Sequence, residues 1–331
     1  MPAPKLLFVW LAVVVASVPQ VASAQTVHFC GQRVSVNTVK VTCRDPTVKD
    51  LSPLAGLHKL QELTVRGASV DDLRPLSKLK RLQWLTLAST AVRDLTPLAG
   101  LVNLVYLDLA ATRVDSLKGL EKLSKLKTLY LSGTACRDLS PLAKLRALEE
   151  LDITATKVVS IAVLASAPML RSLNLSRTRI TDLSPLRHAT RLSLLNLVRS
   201  AAVDLKPLAN ALMLQRLFAS HTAVKDLSGL KRLKKMVYLS LDDTRVRDLA
   251  PLAGMRQLQT LYLTRTPVAS LVPLSGLKRL TRLGLSGTAI TSLVPLHGLT
   301  KLRAVYLRNT NVPASERRRF KLALPNSRIA H

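Results

Sequence analysis

The residues that could support catalysis in this chain are its six histidines and the acids and nucleophiles near them. A catalytic base needs an orienting acid and a nucleophile within hydrogen-bond reach. His221 and Asp243, 22 residues apart, are the only pair that resembles a base with its acid, and no nucleophile accompanies them. The remaining histidines are too scattered to cooperate. The sequence therefore predicts that the protein is not an enzyme and has no catalytic residues.

Three cysteines could bind a metal or form a disulfide. A structural zinc site needs a second ligand pair, and Cys30 and Cys43 have none, so we expect no metal and no cofactor. An apolar run follows Lys5 and ends at Val21-Ala22-Ser23-Ala24, which is typical of a secretory signal peptide of residues 1–24. An uncleaved anchor is less favoured, because the run has about 13 apolar residues and a spanning helix needs roughly 20. Export favours a Cys30–Cys43 disulfide and a secreted or periplasmic protein.

A repeat of 22 residues organises the rest of the chain. Segments of the form Leu-x-x-Leu-x-Leu start at positions 60, 82, 104, 126, 148, 170, 192, 214, 236, 258, 280 and 302 without any insertion. In the unit 82–103, Leu82, Leu85 and Leu87 alternate with outward residues as in a short strand. A fixed short period of this kind predicts a solenoid. Cys136 falls on a core position and is expected to act as a small buried hydrophobe.

Two further positions of the unit carry recurring polar residues. Thr stands eight residues after the starting leucine in ten of twelve units, Ala68 and Ser200 being the exceptions, and can bond the backbone where the strand ends. Asp or Ser stands twelve residues after it in all eleven complete units, and Leu-x-Pro-Leu usually follows. Because these are capping residues and Pro is tolerated in a first helical turn, we expect a short helix or 3₁₀ turn on the convex side.

The consensus Leu-x-x-Leu-x-Leu-x-x-Thr-x-Val-x-Asp-Leu-x-Pro-Leu-x-x-Leu resembles the 22-residue leucine-rich repeat of the bacterial internalins over residues 38–312. The resemblance implies an α/β solenoid: a right-handed horseshoe with one parallel β-sheet on the concave face and short helical or 3₁₀ turns outside. The chain departs from the pattern by carrying Thr where internalins usually carry Asn, and in its degenerate unit 148–169. No sorting signal or extra domain follows the repeats, so host-cell invasion is not implied.

Solenoid ends expose core edges and need caps. The expected organisation is a signal peptide at 1–24, an N-terminal cap and half repeat at 25–59, repeats at 60–312 and a C-terminal cap at 313–331. Val41 and Cys43 occupy core positions of the half repeat. The C-terminal cap is predicted to contain a helix over 315–324 with Phe320, Ala323 and Leu324 on one side.

All seven aromatic residues between 60 and 312 fall two or four residues after a starting leucine, where side chains face out of the concave sheet. They are Trp84, Tyr106, Tyr130, Phe218, Tyr238, Tyr262 and Tyr306. Two explanations remain open: stacking that stabilises neighbouring strands, and anchoring of a protein partner. We favour binding, because large rings left on a wet face are otherwise poorly used.

Charged residues accompany these rings. Glu62, Asp108, Glu150 and Asp152 make the N-terminal half of the same columns acidic, and of these Asp108 and Asp152 are included in the predicted partner-binding set. Five successive units carry a charged or titratable residue seven positions after the starting leucine: Arg177, Arg199, His221, Asp243 and Arg265. This rim column could read an anionic partner, although solvated charges of little energetic value are an equal explanation for any one of them.

The net charge is +29, or +28 without Lys5, and its distribution is uneven. The last eight residues of the eleven complete units contain 20 Lys or Arg and a single acid, Glu121. The first hypothesis is a monomeric scaffold that binds a protein on its concave face. The alternative is binding of an anionic polysaccharide, lipopolysaccharide or lipid headgroup by the basic convex face. Nucleic acid is disfavoured, since no recognised binding motif is present.

Overall fold

The computed structural model describes residues 25–330, so the predicted signal peptide at 1–24 lies outside the described residues. Short strands dominate this part of the chain. They are β1 (Thr26–Phe29), β2 (Gln32–Ser35), β3 (Lys40–Cys43), β4 (Glu62–Val65), β5 (Trp84–Thr86), β6 (Tyr106–Asp108), β7 (Thr128–Tyr130), β8 (Glu150–Asp152), β9 (Ser172–Asn174), β10 (Leu194–Asn196), β11 (Arg216–Phe218), β12 (Tyr238–Ser240), β13 (Thr260–Tyr262), β14 (Arg282–Gly284), β15 (Ala304–Tyr306) and β16 (Arg328–Ala330).

Strands β3 to β16 form one 14-stranded parallel sheet in sequence order. From β3 to β15, each strand pairs in register with the residues 22 positions later, as Leu85 does with Leu107 and Leu107 with Leu129. The predicted solenoid with a single parallel sheet is therefore confirmed. Identical register also stacks every position of the unit into a column that runs along the sheet.

The leucines of each unit share one interior. In the unit 82–103, Leu82, Leu85 and Leu87 of the strand side and Leu98 and Leu101 of the return leg are all 0% exposed. Burying one such side chain contributes roughly 1.5–3 kcal/mol relative to leaving it in water. Cys136 is equally buried, and burial raises the pKa of its thiol to about 11. Its expected role as a small core residue fits this environment.

The threonine column is buried directly behind the strands. In ten units the Thr hydroxyl donates to the carbonyl three residues earlier, at 2.6–2.8 Å, as Thr90 Oγ1 does to Leu87. The bond stays within one unit rather than joining neighbouring units. Each hydroxyl thus satisfies a buried carbonyl at the turn that ends its strand.

The convex legs consist of short 3₁₀ helices. They span Ser52–Leu54, Arg74–Leu76, Thr96–Leu98, Ser140–Leu142, Ala162–Ser166, Ser184–His188, Lys206–Asn210, Ser228–Leu230, Ala250–Leu252, Val272–Leu274 and Val294–Leu296. The aspartate ahead of each turn accepts the N–H two residues later, as Asp94 Oδ1 does from Thr96 at 2.9 Å. The expected acceptor role is confirmed, but the N-cap residue is the following leucine, here Leu95, so the acid sits one position earlier than a cap.

A hairpin covers the first strand of the large sheet. Strands β1 and β2 are antiparallel and joined by Cys30-Gly31, both with positive φ, as a tight two-residue turn requires. Cys30 forms the predicted disulfide with Cys43. Val41 and Cys43 are buried, as expected for the half repeat. The turn and the hairpin were not anticipated from sequence.

At the other end, a helix α1 (Ala314–Ala323) packs Phe320 fully into the core. Leu324 is also buried, but Ala323 is exposed, so its predicted place on the inner side is wrong. The chain then returns as strand β16, pairing with β15 and closing the sheet edge. Among the described residues, no helix is long and apolar enough to cross a membrane.

Gly119 and Gly229 stand where most units have proline, and both lie close to the backbone of the preceding unit. A Cβ on Gly229 would lie 2.3 Å from the Leu205 carbonyl oxygen, whereas a Cβ on Gly56, at another position of the convex leg, meets nothing within 4 Å. We expect Gly229→Ala to lower the free energy of unfolding by about 1–3 kcal/mol, because the units must move apart. Gly56→Ala, the matched control, should be neutral or slightly stabilising. Urea unfolding measures both, and equal midpoints would contradict the close packing of units at Gly229.

The turn aspartates should make the fold acid-sensitive. Hydrogen bonds from Ser140 to Asp138 and from Ser184 to Asp182 lower the pKa of both carboxyl groups. Their stabilisation is complete above the unfolded pKa of about 3.9 and is lost as pH falls through the lower folded pKa. We expect D138A/D182A to lose less stability than wild type between neutral and strongly acid pH in urea titrations. The control Asp71→Ala, a carboxylate without a hydrogen bond among residues 25–330, should retain the wild-type pH dependence.

Candidate functional site

The concave face carries the aromatic residues on the outward columns of the sheet. Trp84 is 45% exposed and Tyr306 36%, while the other five rings are half-buried against their neighbours. They occur in two groups separated by polar strands. We call Trp84, Tyr106 and Tyr130 the N-terminal aromatic cluster, and Phe218, Tyr238 and Tyr262 the C-terminal aromatic cluster.

The N-terminal aromatic cluster is a continuous stack. Trp84 and Tyr106 are register partners whose ring centroids lie 4.0 Å apart at an interplanar angle of 10°, and Tyr130 meets Tyr106 edge-on at 5.6 Å. Burial in this stack raises the pKa of the Tyr106 and Tyr130 phenols, and the charge of Glu150 raises that of Tyr130 further. A cleft of about 300 Å³ lies beside the stack, with Trp84 and Tyr106 in its wall.

The C-terminal aromatic cluster is looser. Phe218 and Tyr238 lie 4.7 Å apart, and Tyr238 and Tyr262 lie 6.0 Å apart, both as ring-centroid distances. Gly284 follows Tyr262 in register, and a Cβ there would stand 2.6 Å from the Tyr262 ring. Sequence reasoning missed this glycine, which gives the ring room and separates it from Tyr306 in the next unit. The available signal was that Gly284 is the one glycine in its column, between Tyr262 and Tyr306.

The acidic residues of the concave face are mostly engaged. Asp108 is 2% exposed, and its carboxylate accepts from Arg66 Nη2 at 2.8 Å and from the Ala110 N–H. Its expected place on the open surface is therefore wrong, because Arg66, two units earlier in the chain, covers it. Asp152 binds Thr154 at the end of its strand, and Glu62 pairs with Lys40.

The rim column adopts an unusual backbone. All five of its residues have positive φ, between 54° and 58°, as have the residues at the same position of the other seven units. Glycine, which this conformation favours, fills three of those seven, and Ser89, Ala111, Ala155 and Asn309 fill the rest. Asp243 accepts from Arg265, which lowers the Asp243 pKa, and its other oxygen lies 3.2 Å from His221 Nδ1. Arg177 and Arg199 are exposed and have no ion pair among the described residues.

Three titratable residues of the rim column, His221, Asp243 and Arg265, are engaged with one another. The carboxylate beside His221 is shared with an arginine, and residues 25–330 contain no group of three or more His, Cys, Asp or Glu that could hold a metal. Both cysteines of the predicted pair are consumed by their disulfide. The concave face therefore presents two groups of rings and a polar rim.

Several proteins of known structure have a fold similar to that of this chain. No protein-family model and no curated protein matches the chain. The crystal structure of an internalin, InlF, from Listeria monocytogenes matches with a TM-score of 0.86 at 25% identity, over 91% of this chain and 89% of that one. The functional domain of InlJ from Listeria monocytogenes matches with a TM-score of 0.62 at 19% identity, over 89% and 73% of the two chains. The plant peptide hormone receptor RGFR1 in complex with RGF2 matches with a TM-score of 0.66 at 16% identity, over 80% of this chain and half of that one.

The protein is thus a leucine-rich-repeat protein. Within that class it is internalin-like, because the strongest of these likenesses extends over nearly the full length of both chains.

The tyrosine environments predict a delayed alkaline titration. Because burial raises the pKa of Tyr106, Tyr130 and Tyr238, their tyrosinate absorbance should develop above the usual pH of about 10 in the native protein and near it after unfolding. The native state then holds protons that the unfolded state releases, so stability falls as pH rises past 10.

Glu150→Gln should bring the Tyr130 titration to lower pH, since it removes the nearby negative charge that opposes ionisation. The control is Glu62→Gln, which removes a carboxylate charge three strands away from Tyr130. This variant should leave the Tyr130 titration where it is in the wild type. A native titration curve that overlies the unfolded one would contradict the half-buried stack.

Proposed function

We propose that this protein is a secreted or periplasmic scaffold that binds another protein on the concave face of its repeat array. The observation that supports this most directly is the grouping of solvent-accessible rings on that face. Six rings form two clusters there, of which the N-terminal one is stacked, with Trp84 45% exposed. Trp and Tyr are the residues that most often dominate the binding energy of protein interfaces.

The competing explanation is that the rings only stabilise the sheet. A cross-strand pair contributes roughly 0.2–1 kcal/mol, and the stacked Trp84–Tyr106 pair belongs in this class. That contribution does not require the outer surface of Trp84 to be open to solvent. A stack with one open face is a ready-made anchor, because its side chains are already ordered before a partner arrives.

The rim column is proposed to supply the polar part of the interface. Arg177 and Arg199 are free to bind carboxylates of a partner, whereas His221, Asp243 and Arg265 already bind one another. Exposed charges contribute little individually, so their role would be orientation of the partner rather than affinity. Tyr306 and Asp152 lie on the same face, and we include them as peripheral contacts.

Location outside the cytoplasm is supported by two observations. The Cys30–Cys43 disulfide is of a kind that persists in oxidising compartments. The sequence of residues 1–24 has the charge and apolar run of a signal peptide. No reaction is proposed for this protein.

The test removes the two rings with the closest contact. We expect W84A/Y106A to weaken binding to the native partner by about 100-fold or more, since two anchor side chains are lost. The partner is captured from extracellular or periplasmic fractions at two salt concentrations, and affinity is then measured by calorimetry. The matched control V272A/V294A truncates two exposed apolar residues of the convex legs and should bind like wild type.

Urea unfolding of W84A/Y106A separates the two explanations. A small loss of stability with a large loss of affinity supports partner binding. Unchanged affinity, whatever the stability, would show that the N-terminal aromatic cluster is only a feature of the sheet.

A further inference from the structure

The two lateral edges of the solenoid carry opposite charge. We define the strand-start edge as the last two residues of each unit, which lie just before the strand of the next unit. It begins with residues 58–59 of the half repeat and continues every 22 residues to 300–301. We define the strand-end edge as the two residues eleven and twelve positions after each starting residue. It begins with residues 49–50 of the half repeat and continues every 22 residues to 291–292. Because the register is constant, each edge is a continuous strip along the sheet.

The strand-start edge contains twelve Lys or Arg and no acid. They are Lys59, Lys80, Arg81, Lys125, Arg146, Arg191, Lys234, Lys235, Arg256, Lys278, Arg279 and Lys301. The strand-end edge contains ten Asp against five Lys or Arg, a net charge of −5. The rest of the convex legs is also basic, because the six residues before this edge in the eleven complete units contain nine Lys or Arg and one acid, Glu121. The two lateral edges therefore differ in sign, and the strand-start edge is one margin of a basic convex surface.

Local structure explains the acidic edge and part of the basic one. The aspartates of the strand-end edge accept backbone N–H groups at the start of the 3₁₀ turns, as Asp138 does from Ser140. Five cations of the strand-start edge donate to oxygens of a neighbouring unit: Lys80 and Lys278 to backbone carbonyls, and Lys59, Lys125 and Arg279 to side-chain amides. The twelve cations of the strand-start edge are all exposed, and none of them pairs with a carboxylate among residues 25–330. Solubility alone would not require a single sign of charge, so the strip is available for an anionic partner.

Apolar side chains on the same strip indicate what kind of anion fits. Val102, Met169, Leu212 and Met213 lie in these columns and are 37–45% exposed. Cations of the next unit lie against the methionines, with Arg191 Nη1 3.0 Å from Met169 Sδ and Lys235 Nζ 2.9 Å from Met213 Sδ. In both contacts the charged nitrogen lies against the thioether sulfur, so cations and exposed apolar side chains stand side by side on one strip. Surfaces that combine the two are typical of segments that lie at a membrane interface.

We propose that the strand-start edge docks onto an anionic lipid surface, with Leu212 and Met213 entering the headgroup region between Arg191 and Lys235. A hydrophilic polysaccharide would satisfy the cations but leave the exposed leucine and methionines unused. An anionic membrane surface satisfies both, because it attracts Lys and Arg and buries apolar side chains at its boundary. The concave aromatic clusters are not part of this edge, so the inference is independent of the proposed function.

The experiment is co-sedimentation of the purified protein with phosphatidylcholine vesicles, with and without about one-third phosphatidylglycerol. We expect binding only to the anionic vesicles and loss of binding at high salt. R191Q/K234Q/K235Q/R279Q should lower the partition coefficient more than about 100-fold, since each cation near such a surface contributes roughly fivefold. The matched control R137Q/K157Q/R179Q/R247Q removes the same charge from residues between the strand ends and the 3₁₀ turns, and should stay within about twofold of wild type.

A second pair of variants tests the apolar contact. L212S/M213S should weaken vesicle binding about tenfold, whereas V159S/V203S, two exposed valines of the strand-end edge, should not. Equal binding to neutral vesicles, or full binding by the four-cation variant, overturns the proposal. Binding of soluble dextran sulfate together with unchanged vesicle binding by L212S/M213S also overturns it, in favour of a hydrophilic polyanion. Urea midpoints confirm that each variant is folded.

Discussion

The burial of five leucines per unit in constant 22-residue register is the constraint on which this structure depends. Each strand from β4 to β14 has only its two neighbours to bond with, and each leucine meets its counterparts one unit away. A one-residue slip of a strand against its neighbours would turn it over and place its leucines in water. Extra residues between strands can be absorbed in a loop, as in the 24-residue step from β15 to β16. Between residues 60 and 312 no unit uses this freedom, so every other position also stacks into a column.

The columns carry different residue types because each position of the unit has its own space and its own backbone groups to satisfy. The interior of the repeats accepts Leu-sized side chains, so rings are found on the outward concave positions and in the two terminal elements, at Phe29 and Phe320. The turn after each strand leaves a buried carbonyl that the Thr hydroxyl satisfies, and the start of each 3₁₀ helix leaves an N–H that Asp or Ser accepts. Acids thus gather on the strand-end side for structural reasons. Of the twelve cations on the opposite edge, five, including Lys80 and Lys278, donate to oxygens of a neighbouring unit, and the other seven have no oxygen partner among residues 25–330.

Periodicity makes much of this structure predictable from sequence, and departures from periodicity are where prediction failed. The sheet, the leucine core, the Thr column and the disulfide all follow from position within the unit or from the pair of cysteines before the repeats. The burial of Asp108 does not, because it depends on Arg66 reaching across 42 residues. Neither do the exposure of Ala323, the last strand β16 and the separation of Tyr306 from Tyr262 by Gly284, since each occurs once. The sequence identified the charged residues of the rim column, but it did not predict that these residues have positive φ.

The backbone of the rim column belongs to the turn and not to its side chains. All twelve units have positive φ seven residues after the starting residue, whether glycine stands there, as at Gly67, or alanine, as at Ala111 and Ala155. The stack holds this conformation in every unit because each unit is fixed by its neighbours. What distinguishes the five successive units is the side chain alone, since Arg, His or Asp stands there alongside the strands that hold the C-terminal aromatic cluster. Within these five, Asp243 engages His221 and Arg265, which leaves the polar half of the proposed protein-binding surface to Arg177 and Arg199, the two that no carboxylate of residues 25–330 engages.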